Sequence, residues 1–210
     1  MRRILFLLVA AFLSVGLAAC GDDDSTGPGT ELSDQELEAL AEVLFTQGFS
    51  FTMTSGPRSE IFDSDLQRAA GVPIGPIDFG PQDVACELGG VVTVTGTVSG
   101  DLDQQGAGIL NYSLTQVHQA CTAQAEGGTQ FTLDGNPSTT MDISLDTSAN
   151  GAFSLSGTYT GGIAWQTGDR DGTCSVDLSF DATGNLETGT TSSGSVTGTM
   201  CGRSVNENIT

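Results

Sequence analysis

From Val91 onward, apolar and small polar residues alternate with a period of two, and this alternation limits the chain to one kind of architecture. Val92, Val94 and Val98 alternate with Thr93, Thr95 and Thr97. Leu110, Tyr112 and Leu114 alternate with Asn111 and Ser113, and Met141, Ile143 and Leu145 with Thr140, Asp142 and Ser144. Phe153, Leu155 and Tyr159 continue the series, followed by Ile163 and Trp165, then Val176, Leu178 and Phe180, and finally Val196 and Met200. Successive side chains of a strand point to opposite faces, so each segment reads as a strand with one buried and one solvated face. Turn-forming clusters separate them: Asp134 to Pro137, Ser148 to Gly151, Asp169 to Gly172, Thr183 to Asn185 and Ser192 to Gly194. Short links force successive strands to be antiparallel neighbours. The expected fold is mainly β, an antiparallel meander of about 8–9 strands over roughly 91–201, forming a barrel or a sandwich.

One helix is expected before it, over 33–47. Ser33 is a good N-cap with Glu36 three residues later, the pattern of a capping box, and Leu32 and Leu37 suit a hydrophobic staple across the cap. Leu37, Leu40 and Leu44 share one face, beside Ala41 and Val43. Packing of that leucine stripe on the β-domain is expected. Phe49, Phe51 and Met53 suggest a short strand, and Ser64 to Ala70 a helical turn within an otherwise irregular stretch over 55–90. There the Gly75 to Pro81 segment reads as a loop from its glycines and prolines.

The chain starts with a basic pair, Arg2-Arg3, then an apolar run from Ile4 to Gly16, then Leu17-Ala18-Ala19-Cys20. An apolar run this short, basic before and small after, reads as an export signal rather than a spanning helix. The tetrapeptide ending in Cys20 resembles the lipobox of bacterial lipoproteins. The resemblance implies cleavage after residue 19, a diacylglycerol thioether on Cys20 and acylation of its freed amine, with palmitate as the kind of chain expected. More than one acyl chain is what stable anchoring needs. Residues 20–31, with Asp22-Asp23-Asp24 and several Gly, Ser and Pro, read as a flexible acidic tether, and 32–210 as a single domain. Gly21 rather than Asp after the lipidated cysteine resembles the pattern of lipoproteins released to the outer membrane. The expected location is therefore the cell envelope, facing the periplasm or the cell surface, with the membrane contacted through the lipid.

Of the five cysteines, Cys20 is assigned to lipid, leaving Cys86, Cys121, Cys174 and Cys201. In an exported chain these suggest two disulfides, with Cys86–Cys121 and Cys174–Cys201 as the favoured pairing. Cys201 has the opposite strand parity to Val196 and Met200, so the second pair requires a bulge near Gly198 or Gly202. A zinc site is the alternative, but no C-x-x-C spacing supports it.

The charge balance excludes one class of partner. There are 26 acidic side chains against six basic ones, all arginine, and two of those lie in the signal. Phosphate recognition needs Lys and Arg, so neither nucleic acid nor an anionic membrane surface is an expected partner. The catalytic inventory is small. His118 is the single histidine, and a hydrolase would have to use it. Its parity matches Leu110, Tyr112 and Leu114, which could turn it inward. Asp101 to Gly106 starts like a calcium loop, but Tyr112 stands where the loop needs Glu. That segment, like Asp169 and Asp171, reads as turn chemistry.

No catalytic residue, metal ligand or cofactor is expected. The expected role is a non-catalytic binding or structural module, with a protein or a small apolar ligand as the possible partner. The alternatives are a carrier of a small apolar ligand, walled by residues such as Phe131, Phe153, Tyr159 and Trp165, and a hydrolase built on His118. A barrel of this kind would look like lipocalin-type carriers in architecture only, since that family's sequence signature is absent.

Overall fold

The computed structural model describes residues 31–50, 73–103, 106–125, 127–185, 188 and 190–209. The signal, Cys20, the tether, the strand expected beyond Ser50 and the turn expected at Ser64 to Ala70 lie outside these residues. Helix α1 (Asp34–Ser50) precedes eight strands: β1 (Pro73–Ala85), β2 (Gly89–Leu102), β3 (Gly108–Gln124), β4 (Gln130–Thr147), β5 (Ala152–Thr167), β6 (Arg170–Asn185), β7 (Thr190–Met200) and β8 (Arg203–Ile209). They form one antiparallel sheet in sequence order, β1 to β8, without a crossover. The mainly β meander is as expected. The sheet is not closed, because no ladder joins β1 to β8 among the described residues.

The two faces follow from the period-two pattern. One row crosses all eight strands on the inner face: Phe79, Gly96, Leu114, Met141, Tyr159, Leu178, Gly198 and Val205. Its four central members are at most 1% exposed. The adjacent outer row, from β2 to β8, is Thr95, Thr115, Thr140, Thr160, Asp177, Thr199 and Ser204. The outer face is thus a regular array of hydroxyls with interspersed carboxylates.

Glycines on the inner face make room for neighbouring rings. A Cβ at Gly157 would lie 2.6 Å from the Phe180 ring and 2.4 Å from the Asp142 carbonyl oxygen. A Cβ at Gly172 would lie 2.8 Å from Trp165, and one at Gly96 2.9 Å from Phe79. In each case the ring belongs to the residue directly paired with the glycine. The aromatic side chain covers backbone that the glycine leaves bare, and the glycine gives it somewhere to lie.

Several boundaries differ from the sequence reading. The segment expected as a loop, Gly75 to Pro81, lies in β1, an edge strand. Its register shifts fall between Ile74 and Ile77 and between Phe79 and Gln82, at the two Gly-Pro pairs. Proline is tolerated on an edge because its missing N–H removes no central ladder bond. Asp134 to Pro137, expected as a turn, lies within β4, and the ladder to β5 absorbs it as an irregularity between Gly135 and Thr139. Ser192 to Gly194 likewise lie within β7, and β8 is an additional strand beyond Met200. Phe49 and Ser50 end α1 rather than begin a strand.

Both disulfides form in the favoured pairing, Cys86–Cys121 and Cys174–Cys201. The zinc alternative is thereby removed, since all four thiols are consumed. The parity conflict at Cys201 is resolved by a turn, not by a bulge. Met200 pairs with Arg203, and the two residues between them, Cys201 and Gly202, have φ of 51° and 78°. Positive φ at both central positions is the hairpin turn that matches strand twist. Cys201 therefore belongs to neither strand face and reaches back to Cys174 on β6.

These features gather at one end of the sheet, with the β1–β2, β3–β4, β5–β6 and β7–β8 turns. The start of α1 is clamped there. Ser33 N–H and Oγ–H donate to Glu36 at 2.9 and 2.8 Å, and the Glu36 N–H donates back to Ser33 Oγ, completing the capping box. Leu32 and Leu37 are both buried, as the staple requires. Arg170, opening β6, pairs with Glu36 and donates to the Glu31 carbonyl. Arg203, opening β8, pairs with Asp34 and donates to the Leu32 carbonyl at 2.8 Å. Burial alone would raise the Glu36 carboxyl's pKa, but the Ser33 N–H and hydroxyl and the Arg170 guanidinium together hold it below its ordinary range. Leu37, Leu40, Val43 and Leu44 join the sheet's inner residues in one core.

Two outcomes test this account by chemical denaturation. Gly157→Ala should destabilise the domain by about 1–3 kcal/mol through overpacking against Phe180, whereas Gly75→Ala, with nothing within 4 Å of its added carbon, should stay within about 0.5 kcal/mol of the parent. Arg170→Ala should cost about 1 kcal/mol or less, because the pair is partly exposed, and raising the salt concentration should shrink the difference.

Candidate functional site

β3 runs from Gly108 to Gln124 and changes face once. Its inward residues are even-numbered through Leu110, Leu114, Gln116 and His118, then odd-numbered from Cys121 through Ala123. The switch occurs at Ala120, which has φ of 47° and whose N–H donates to Asp134 Oδ1 at 2.7 Å. Gly90 on β2 accommodates it, since a Cβ there would lie 1.9 Å from the Ala120 carbonyl oxygen. The bulge thus follows His118 rather than preceding it, and two polar side chains remain on the inner face.

Gln116 is 1% exposed and His118 is 2% exposed. Gln116 pairs directly with Val94 on β2 and Thr139 on β4, and His118 pairs with Val92. Thr139 is fully buried and accepts the Tyr159 hydroxyl at 3.2 Å. Burial pushes the Tyr159 hydroxyl up to about 12, against the opposing effect of its bond to Thr139, so it stays protonated. Burial pushes His118 down to about 4, against a smaller upward pull from the Asp134 carboxylate. The imidazole is therefore neutral near pH 7.

The polar atoms of Gln116 and His118 set this region apart. Neither the oxygen and nitrogen of the Gln116 carboxamide nor either His118 ring nitrogen has a hydrogen-bond partner among the described residues. Each such buried group left unsatisfied costs about 1–3 kcal/mol. Asp134, the one carboxylate whose charge acts on His118, is exposed and already accepts the Ala120 N–H. No serine, threonine or carboxylate hydrogen-bonds the imidazole among the described residues, so no nucleophile–base relay is assembled on it.

A second feature lies on the outer face, a shallow hollow of about 380 Å³ across β2 to β5. Two rows of the polar array line it: Thr97, Ser113, Asp142 and Thr158, and Ser99, Asn111, Ser144 and Ser156. It offers hydroxyls, one carboxamide and one carboxylate on a backbone floor. Tyr112 is the one aromatic residue among the described residues that line it.

The other residues singled out in the sequence fall elsewhere. Asp103 closes the β2–β3 turn, where its Oδ1 accepts the Ala107 N–H at 2.8 Å. Asp169 belongs to the β5–β6 turn and Asp171 to the exposed face of β6. Phe131, Tyr159 and Trp165 are inward and buried, and Phe153 is half-buried near the opposite end. Sequence reading named His118 and Tyr159 but not Gln116 or Thr139. Gln116 carries the same parity signal as His118, whereas Thr139 follows the irregularity at 136–138, which breaks the count. No protein-family model matches the chain, and neither the curated proteins nor the solved structures contain a match.

The depressed His118 pKa fixes a pH response. The unfolded imidazole takes up its proton near 6.5 and the folded one only near 4. Its contribution is complete above pH 6.5 and is lost as the pH falls from 6.5 towards 4, by roughly 3 kcal/mol in all. His118→Gln should flatten that part of the stability–pH curve. Equal slopes in parent and variant between pH 6.5 and 4.5 would disprove the assignment.

Proposed function

We propose that the chain is a lipid-anchored protein of the bacterial cell envelope whose β-domain is a non-catalytic binding or structural module. The lipobox-like Leu17-Ala18-Ala19-Cys20 and the two disulfides support an exported, oxidising setting. Gly21 at the second mature position supports the outer membrane. The observation that carries the non-catalytic part is the isolation of His118. The one histidine of the chain is neutral, buried and without a hydrogen-bonded nucleophile or carboxylate among the described residues. The hydroxyl-rich outer face supports contact with water or a polar partner, and the acidic balance speaks against nucleic acid.

A second reading, a carrier of a small ligand, is favoured by the unsatisfied polar atoms of Gln116 and His118. A wholly apolar ligand would leave them unsatisfied, so this reading requires a ligand with a polar end.

The proposal is tested by expressing the full chain in a bacterium and measuring the intact mass of its membrane fraction. The expected product begins at Cys20 and carries a diacylglycerol and an N-acyl chain, and Cys20→Ser should lose both the acyl mass and membrane retention. An unlipidated N-terminus in the parent would overturn the anchor. Ester or peptide hydrolysis abolished by His118→Gln, with the fold retained, would overturn the non-catalytic reading.

A further inference from the structure

We infer that Gln116 and His118 form the hydrogen-bonding head of an internal site for a small uncharged guest carrying both a donor and an acceptor, as a primary carboxamide does. This deepens the carrier reading and rests on it. The two residues lie on the same face of β3, two positions apart, so their Cα atoms are about 7 Å apart and their side chains leave the strand in the same direction. All four of their side-chain nitrogen and oxygen atoms are buried and lack a partner among the described residues. Buried polar groups in folded proteins are almost always satisfied, so such a concentration calls for a partner that the described protein groups do not supply.

The chemistry of that partner follows from what the two heads offer. A carboxamide side chain and a neutral imidazole each present one side that donates and one that accepts. A guest with a carbonyl and an N–H, or with a hydroxyl, can satisfy both. An anionic guest cannot, because it brings only acceptors. The two arginines among the described residues are both engaged with the start of α1. A cationic guest would find no carboxylate on the inner face at this level among the described residues, since Asp134 is exposed on the outer side. Thr139 beside them accepts the Tyr159 hydroxyl, whereas Gln116 and His118 have no partner among the described residues. The surrounding inward residues, Val92, Val94, Leu114 and Met141, are apolar and buried, so the guest's remaining surface must be apolar.

The single histidine makes the site directly observable by NMR, since one set of imidazole signals belongs to His118. The mature chain, refolded from denaturant with its disulfides intact to remove co-purified molecules, would be titrated at pH 7 with butanamide and separately with butanoate. Butanamide should shift the His118 ring and Gln116 carboxamide signals saturably, and butanoate should not. Gln116→Leu should weaken the butanamide titration about tenfold. Gln116→Met, closer in shape to glutamine, serves if the leucine variant does not fold. The absence of a saturable shift with butanamide, equal binding of butanoate, or unchanged binding in a folded Gln116 variant would each overturn the site. Native mass spectrometry of unrefolded protein separates this from failure of the carrier reading. A bound mass identified as a charged molecule would overturn the guest class and keep the carrier, whereas neither a bound mass nor butanamide binding would remove both.

Discussion

Cross-strand register is the constraint on which the rest of this molecule depends. Each strand pairs only with its chain neighbours, and a slip of one residue would exchange its buried and solvated faces. The inner and outer rows can differ as sharply as Met141 and Thr140 only if every ladder holds the same register. Where strict alternation would produce a clash, the inner face uses glycine: Gly96 beneath Phe79, Gly157 beneath Phe180 and Gly172 beneath Trp165. Glycine normally weakens a strand. Here the directly opposed ring recovers the lost packing and ties the register to the position of each pair. The richness in glycine is therefore part of the core design as well as of the turns.

The charge balance is used with comparable economy. In a chain dominated by carboxylates, self-repulsion opposes compaction. Arg170 and Arg203 both open strands that follow tight turns, and both point to the first turn of α1. They also take backbone carbonyls of Glu31 and Leu32, so the approach to the helix is held as well as the helix itself. Cys174–Cys201 links the same two neighbourhoods covalently. Among the described residues, both disulfides and both ion pairs lie at the end of the sheet to which the start of α1 attaches.

Much of this architecture was legible in the sequence because alternation and capping are local signals. The capping box at Ser33 and Glu36, the strands around Val94, Leu114, Ile143, Leu155 and Leu178, and the disulfide pairing each depend on few residues. What escaped depended on tertiary context. β1 carries two Gly-Pro pairs that read as loop, and only its place at the sheet edge makes them tolerable. Asp134 to Pro137 has the composition of a turn, yet the long β4 passes through it because β3 and β5 hold both sides. β8 is short and polar, with Val205 as its principal inward apolar group, and it exists because β7 offers a free edge. The end of α1 was misplaced because Phe49 continues an alternating pattern that the helix overrides.

Gln116 and His118 are the part of the inner face most unlike the rest. Along most of the strands face and environment agree, with apolar residues inward and hydroxyls outward. A sequence consistent at every level departs from the pattern where something other than folding constrains it. Leucine or valine at 116 and 118 would suit the alternation of β3 and would remove two buried polar groups. The bulge at Ala120 could have reversed the face before these positions, but it comes after them, and Gly90 is shaped to receive it there. The polar pair is therefore held inward by the strand's own geometry, with Asp134 outside fixing the bulge and the Tyr159 hydroxyl donating to Thr139 alongside. Burial keeps the single histidine of the chain neutral near pH 7, the form in which one ring nitrogen donates a hydrogen bond and the other accepts one.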